Sequence, residues 1–129
     1  MGLDIYFIKK NKKSKEEKQI AYFRKVNFLV RFMESYGEIE NCKDFKVSKE
    51  MIEDLRDRCS LIIKTRDPQK KEELARMFLP TRSGFFFGST DYDDWYYNNV
   101  KEVKAACNKI LTQMEKLKTT ESIYFHIWY

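Results

Sequence analysis

A chain of 129 residues that is 43% hydrophobic and 35% charged has the composition of one globular domain, residues 1–129, and not of a disordered tail. Its net charge of +5 invites a nucleic-acid partner, but the six Lys and two Glu of KKNKKSKEEK (9–18) supply most of it, the pattern of a solvated loop and not of a basic groove. Three cysteines without a CxxC pair, one histidine, no signal-peptide pattern and no membrane-spanning apolar run speak against disulfides, structural zinc, secretion and membrane insertion, and predict a reduced cytoplasmic protein.

The first segment, GLDIYFIKK (2–10), is a predicted strand. Ile5, Tyr6, Phe7 and Ile8 are β-favouring, and their near-continuous apolar character suggests cover on both faces. The lysine-rich loop follows. QIAYFRKVNFLVRFMESYG (19–37) then reads as a helix with Tyr22, Val26, Leu29, Met33 and Tyr36 on one stripe, widened by Phe23 and Val30, and with Gly37 as its stop. A short extended piece at Phe45–Val47 precedes a second helix capped by Ser48, whose stripe is Ile52, Leu55, Cys59 and Ile62. Asp67-Pro68 opens a third helix, and Leu79-Pro80 closes it, because the residue before proline is pushed out of the α region.

The longest helical pattern comes next. Tyr96, Val100, Val103, Cys107, Ile110, Met114 and Leu117 recur at intervals of three and four, with Thr90 or Asp91 as the expected cap. SIYFHIWY (122–129) is a β-favouring segment placed to pair with the first strand. The fold class is therefore α+β: a small mixed β-sheet formed by the terminal strands, packed against three to four helices.

Function is sought in SGFFFGSTDYDDWYY (83–97), part of a chain with ten Phe and eight Tyr. An extended Phe run would bury Phe85 and Phe87 on one face and turn Phe86 to the other, with Gly84 and Gly88 supplying turns. Tyr92 and Trp95 beside Phe86 would then make an aromatic platform for a protein or a planar ligand. Asp91, Asp93 and Asp94 suit a helix start. They disfavour phosphate there unless Arg82 offsets them, and they are weak grounds for Mg²⁺. Arg24 and Asn27, three residues apart, would share one helical side. His126 lies in an apolar β segment, which suits a structural role better than a general base, and no nucleophile or nucleotide motif occurs.

Four stretches form a recognisable set: MGLD, YFRKVN, LPTRSGFFFGSTDYDDWYY and YFHIWY, in that order. The set resembles a family of small phage and prophage proteins. That family opens with MGLD, continues with a YWRKAN-like helix and an LPTxSGFFFGSxxYDxWY loop, and closes on an aromatic strand ending in Trp. The resemblance implies an origin in a phage or other mobile element and brings no activity with it. Where the family helix carries His and Trp this chain has Val30 and Phe32, and Tyr22-Phe23 replaces its YW. A reaction that used that histidine would be missing here.

The leading expectation is a non-enzymatic module, without cofactor or metal, acting on a host protein in takeover or counter-defence. A nucleotide or other small molecule bound by Arg24, Asn27, Arg82, Ser83, Asp93 and His126 is the alternative, as a binder or a small enzyme. A nucleic-acid binder using the 9–18 loop comes third. A flat aromatic patch would favour the first reading, and a pocket of converging polar groups the second.

Overall fold

The computed structural model describes residues 2–129. Among them the elements are β1 (Asp4–Asn11), β2 (Glu17–Arg24), α1 (Asn27–Glu34), β3 (Asp44–Lys46), α2 (Lys49–Lys64), α3 (Pro68–Phe78), α4 (Asp94–Glu115) and β4 (Glu121–Trp128). The strands make a four-stranded sheet in the order β2-β1-β4-β3. The α+β class and the adjacent terminal strands are as the sequence indicates, and every pairing is antiparallel.

The lysine-rich stretch is a hairpin and not a long loop. Asn11 organises its turn: its backbone accepts from Lys15 N at 2.9 Å, and its Oδ1 accepts from Lys13 N and Ser14 N at 2.9 and 3.0 Å. Such an Asn-bonded turn stabilises the local reversal. The consequence is that QIAYFR pairs with β1 instead of starting a helix. Phe23 is buried and Tyr22 exposed, the alternation of a strand. The register shifts opposite Phe7 and Ile8, where Ile20 is the extra residue of a bulge, and that shift disguises the period-two pattern. The helix begins only at Asn27 and stops at Glu34, ahead of Gly37.

One face of the sheet is the core. Ile5 and Phe7 of β1, Phe23 of β2, and Ile123, Phe125 and Ile127 of β4 all lie on it and are buried. Among the described residues no helix lies over the other face, so β1 is covered on one side only. Tyr6 and Ile8 are half-buried there.

Over the core, α2 packs against α4. Ser48 caps α2, its Oγ accepting from Met51 N at 3.2 Å, and buries Ile52, Leu55, Cys59 and Ile62 beneath it. Asp67 caps α3 with Pro68 in its first turn. The cap of α4 is Asp93, two or three residues later than expected, with Oδ1 accepting from Tyr96 N at 3.0 Å. Tyr96, Val100, Val103, Cys107 and Ile110 face inward as the periodicity predicts. Cys59 and Cys107 are free, buried thiols, and burial raises both pKa values, that of Cys107 to about 12. They pack as small apolar groups. Cys42 is exposed. No helix among the described residues is long and apolar enough to cross a membrane.

The placement of β4 between β1 and β3 makes it the test of the architecture. Phe125→Ala should cost about 3–5 kcal/mol in denaturant unfolding, the range for a fully buried Phe. Deletion of residues 122–129 should abolish the cooperative thermal transition, and a truncated chain that still melts cooperatively would refute this arrangement.

Candidate functional site

The segment from Leu79 to Asp93 has no regular structure, and one side chain holds its middle together. Asn27, at the first position of α1, is 2% exposed. Its Nδ2 donates to the carbonyls of Phe87 and Ser89 at 3.0 and 2.9 Å, and its Oδ1 accepts from the backbone N–H of Arg82 at 2.9 Å. An amide can donate twice and accept once in this way, which no other side chain of similar size does. Arg82 then forms a two-point ion pair with Glu34, at 2.7 and 3.1 Å, and lies 5.0 Å from the centre of the Phe87 ring. Tyr92 receives Thr81 N at its hydroxyl, and Thr81 Oγ1 donates to Thr90 O.

Within this frame the Phe run is a tight turn and not a strand. Phe87 N donates to Gly84 O at 3.2 Å, and Leu3 N donates to Phe86 O at 3.0 Å. Phe86 adopts φ +66° and Gly88 φ +86°, so the run cannot alternate as a strand does. The expected buried pair of Phe85 and Phe87 is therefore corrected. Only Phe87 is buried, edge-on to Tyr129 with ring centres 4.9 Å apart. Phe85 is 87% exposed and Phe86 47%, their rings 6.3 Å apart at the tip of the turn.

The other expected site residues scatter. Asp93 is engaged as the α4 cap, and Tyr92 is partly buried against Tyr96 with the Arg76 guanidinium 4.4 Å over its ring. Ser83 is exposed beside the turn, and Trp95 is 45% exposed on the first turn of α4. Arg24 belongs to β2 and not to a helix, so its spacing from Asn27 does not put the two on one side. It pairs with Asp4 at 3.1 Å, and Tyr22 donates its hydroxyl to the same carboxylate. His126 lies on the uncovered sheet face, with Nδ1 at 2.9 Å from Asp44. Of the polar residues named for a pocket, Asn27 and Arg82 meet through the Arg82 backbone N–H, while Arg24, Asp93 and His126 are engaged with other partners.

Burial alone would raise the Asp44 carboxyl, but Lys10 at 2.6 Å and His126 outweigh it and hold its pKa below the ordinary value. Asp44 therefore favours the folded state above the usual carboxylate range, and that contribution is lost as pH falls through the lowered pKa. Among the described residues, no three His, Cys, Asp or Glu side chains are grouped so as to hold a metal ion.

No protein-family model, curated protein or solved structure matches the chain. The phage resemblance rests on its quoted motifs alone. The sequence pattern put Phe85 in the core and passed over Lys25 and the last-strand aromatics Tyr124 and Trp128, which flank the candidate His126. The last of these had a signal: alternation puts Tyr124, His126 and Trp128 opposite Ile123, Phe125 and Ile127.

Asn27→Ala leaves two carbonyls and one N–H without their partner and should cost about 2–3 kcal/mol. Asn27→Asp, which cannot donate to the carbonyls, should do no better. Asp93→Ala should cost about 0.5–2 kcal/mol, as loss of a cap does. Denaturant titration of the three variants checks this ranking, and an unchanged Asn27→Ala midpoint would contradict the clamp.

Proposed function

We propose that the chain is a binding module of phage or prophage origin that docks on a host protein in the bacterial cytoplasm, with the Phe85-Phe86 tip as its anchor. The observation that carries this reading is an exposed aromatic pair on a turn held against conformational cost. A left-handed backbone costs an L-residue about 1–2 kcal/mol, and glycine is the usual occupant of such a position. Phe86 stands there with its ring half in solvent, where the fold gains little from it. Backbone strain of this kind is concentrated at sites of recognition.

The tip is also pre-organised. The carbonyls of Phe86 and Phe87 are held by Leu3 and Asn27, and the Phe87 N–H by Gly84, so little ordering would remain to be done on association. Aromatic anchors on a rigid mount are what protein interfaces use as hot spots. Host takeover or counter-defence is the role that the resemblance suggests. A small-molecule pocket or small active site at the loop has less support, because Asn27, Arg82 and Asp93 are engaged within the fold and His126 pairs with Asp44.

The test uses Phe85→Ser and Phe86→Gly. Both should stay folded, and Phe86→Gly should melt at the parent temperature or slightly above it. In pull-downs from host lysate, a protein held by the parent chain should be lost from both variants. A partner retained equally by both would place the interface elsewhere.

A further inference from the structure

The uncovered face of the sheet is rich in rings where a water-facing sheet ordinarily carries short polar side chains. By register it presents Tyr6 on β1, Tyr22 on β2, and Tyr124, His126 and Trp128 on β4. The Tyr6 ring lies 5.2 Å from that of Tyr22 and 6.3 Å from that of His126, so the rings form a continuous row across three strands. Tyr22 and Trp128 remain 43% and 58% exposed. None of these side chains belongs to the hydrophobic core.

Charge is arranged around this row. On the face itself Asp4 pairs with Arg24, and Lys10 alone meets both Asp44 and Glu17, so these paired groups leave no positive excess. The lysines outside these pairs, Lys12 and Lys15, lie at the hairpin end. A depression of about 340 Å³ at the hairpin end is lined by Lys10, Lys12, Lys15 and Tyr124, with Glu17 and Asp44. A second, of about 360 Å³ at the opposite end, is lined by Arg24, Asp4, Trp128 and Tyr129. Lys25 adds a further cation beside it. Its φ of +60° breaks the strand alternation, and its side chain lies against Gly2 together with that of Arg24.

Rings in the middle and cations at both ends are complementary to a polyanion whose bases are free to stack. We propose that this sheet face binds single-stranded nucleic acid, its bases laid on Tyr6, Tyr124 and Trp128 and its phosphates towards Lys12 and Lys15 at one end and Arg24 and Lys25 at the other. Stacking on exposed sheet aromatics tolerates any base, so the binding has little sequence preference. A duplex, with its bases already stacked and paired, offers nothing to the rings. The site does not include the Phe85 and Phe86 rings, and its test is independent of the docking reading.

The experiment is fluorescence anisotropy with a labelled oligothymidylate of about 12 nucleotides, within the span of one such platform. The parent chain should bind in the micromolar range at low salt and weaken as salt rises. Trp128→Ala and Tyr124→Ala, both partly exposed positions, should melt near the parent temperature and bind about tenfold more weakly, the effect of one lost stack. Replacing Lys12, Lys13 and Lys15 by Ser should leave melting unchanged, weaken binding and flatten its salt dependence. Phe85→Ser should bind as the parent does. Equal affinity for a duplex, or for the mononucleotide dTMP with no gain on lengthening, would overturn the proposal. So would binding that survives Trp128→Ala and Tyr124→Ala together, or no binding at micromolar protein in low salt.

Discussion

The backbone of β1 is the constraint from which the other parts take their positions. It pairs with β2 along one edge and β4 along the other, so both neighbours inherit its register. The same run of backbone reaches beyond the sheet. At Leu3, just before the strand, the N–H holds the carbonyl of Phe86 and the carbonyl accepts from Lys25 N at 2.8 Å. One residue thereby fixes both the aromatic turn and the joint between β2 and α1. Backbone groups in a folded interior need partners, and here that requirement ties an irregular loop to the most regular part of the molecule.

From that origin the molecule acquires two unlike sides. The covered side of the sheet is aliphatic and aromatic, and it is closed by α2 and α4, whose stripes meet over it. The uncovered side carries aromatic rings with polar tips, interleaved with ion pairs. A tyrosine or histidine can sit half in water at modest cost because one part of it is apolar and another part can hydrogen-bond. Five described residues have positive φ: Lys15 in the hairpin turn, Cys42 ahead of β3, and Lys25, Phe86 and Gly88. Lys25 and Phe86 are both hydrogen-bonded to Leu3, and Gly88 lies against the Lys25 side chain, so three of the five gather beside the Phe tip.

The parts legible in the sequence are those whose signal is local. The stripe of α2, that of α4 as far as Ile110, the cap at Ser48, the helix start at Asp67-Pro68 and the β-favouring run at 122–129 each sit within one window, and the structure places them as read, while Leu117 falls beyond the end of α4. Residues 19–24 failed because a tertiary pairing overrode an apparent helical stripe, and the bulge at Ile20 broke the alternation that would have revealed a strand. The Phe run failed because its conformation depends on residues far away in sequence. Asn27 is 60 positions from Phe87 and acts through its side chain, so no pattern within 83–97 could announce it. The same holds for Asp93, which looked available on the page but is occupied by the backbone of its own helix. Of the two phenylalanines that the sequence pattern would bury, Phe87 is in the core and Phe85 is not.

The three thiols make the chain a reporter of its own opening. Cys42 faces solvent, while Cys59 and Cys107 lie where α2 meets α4. Only a thiolate reacts readily with an electrophile, and burial suppresses both its formation and its access. In the intact fold a thiol dye would label one site at once and leave the other two silent. The slow labelling of those two then measures how often the helical layer parts from its neighbour, under native conditions and without any denaturant.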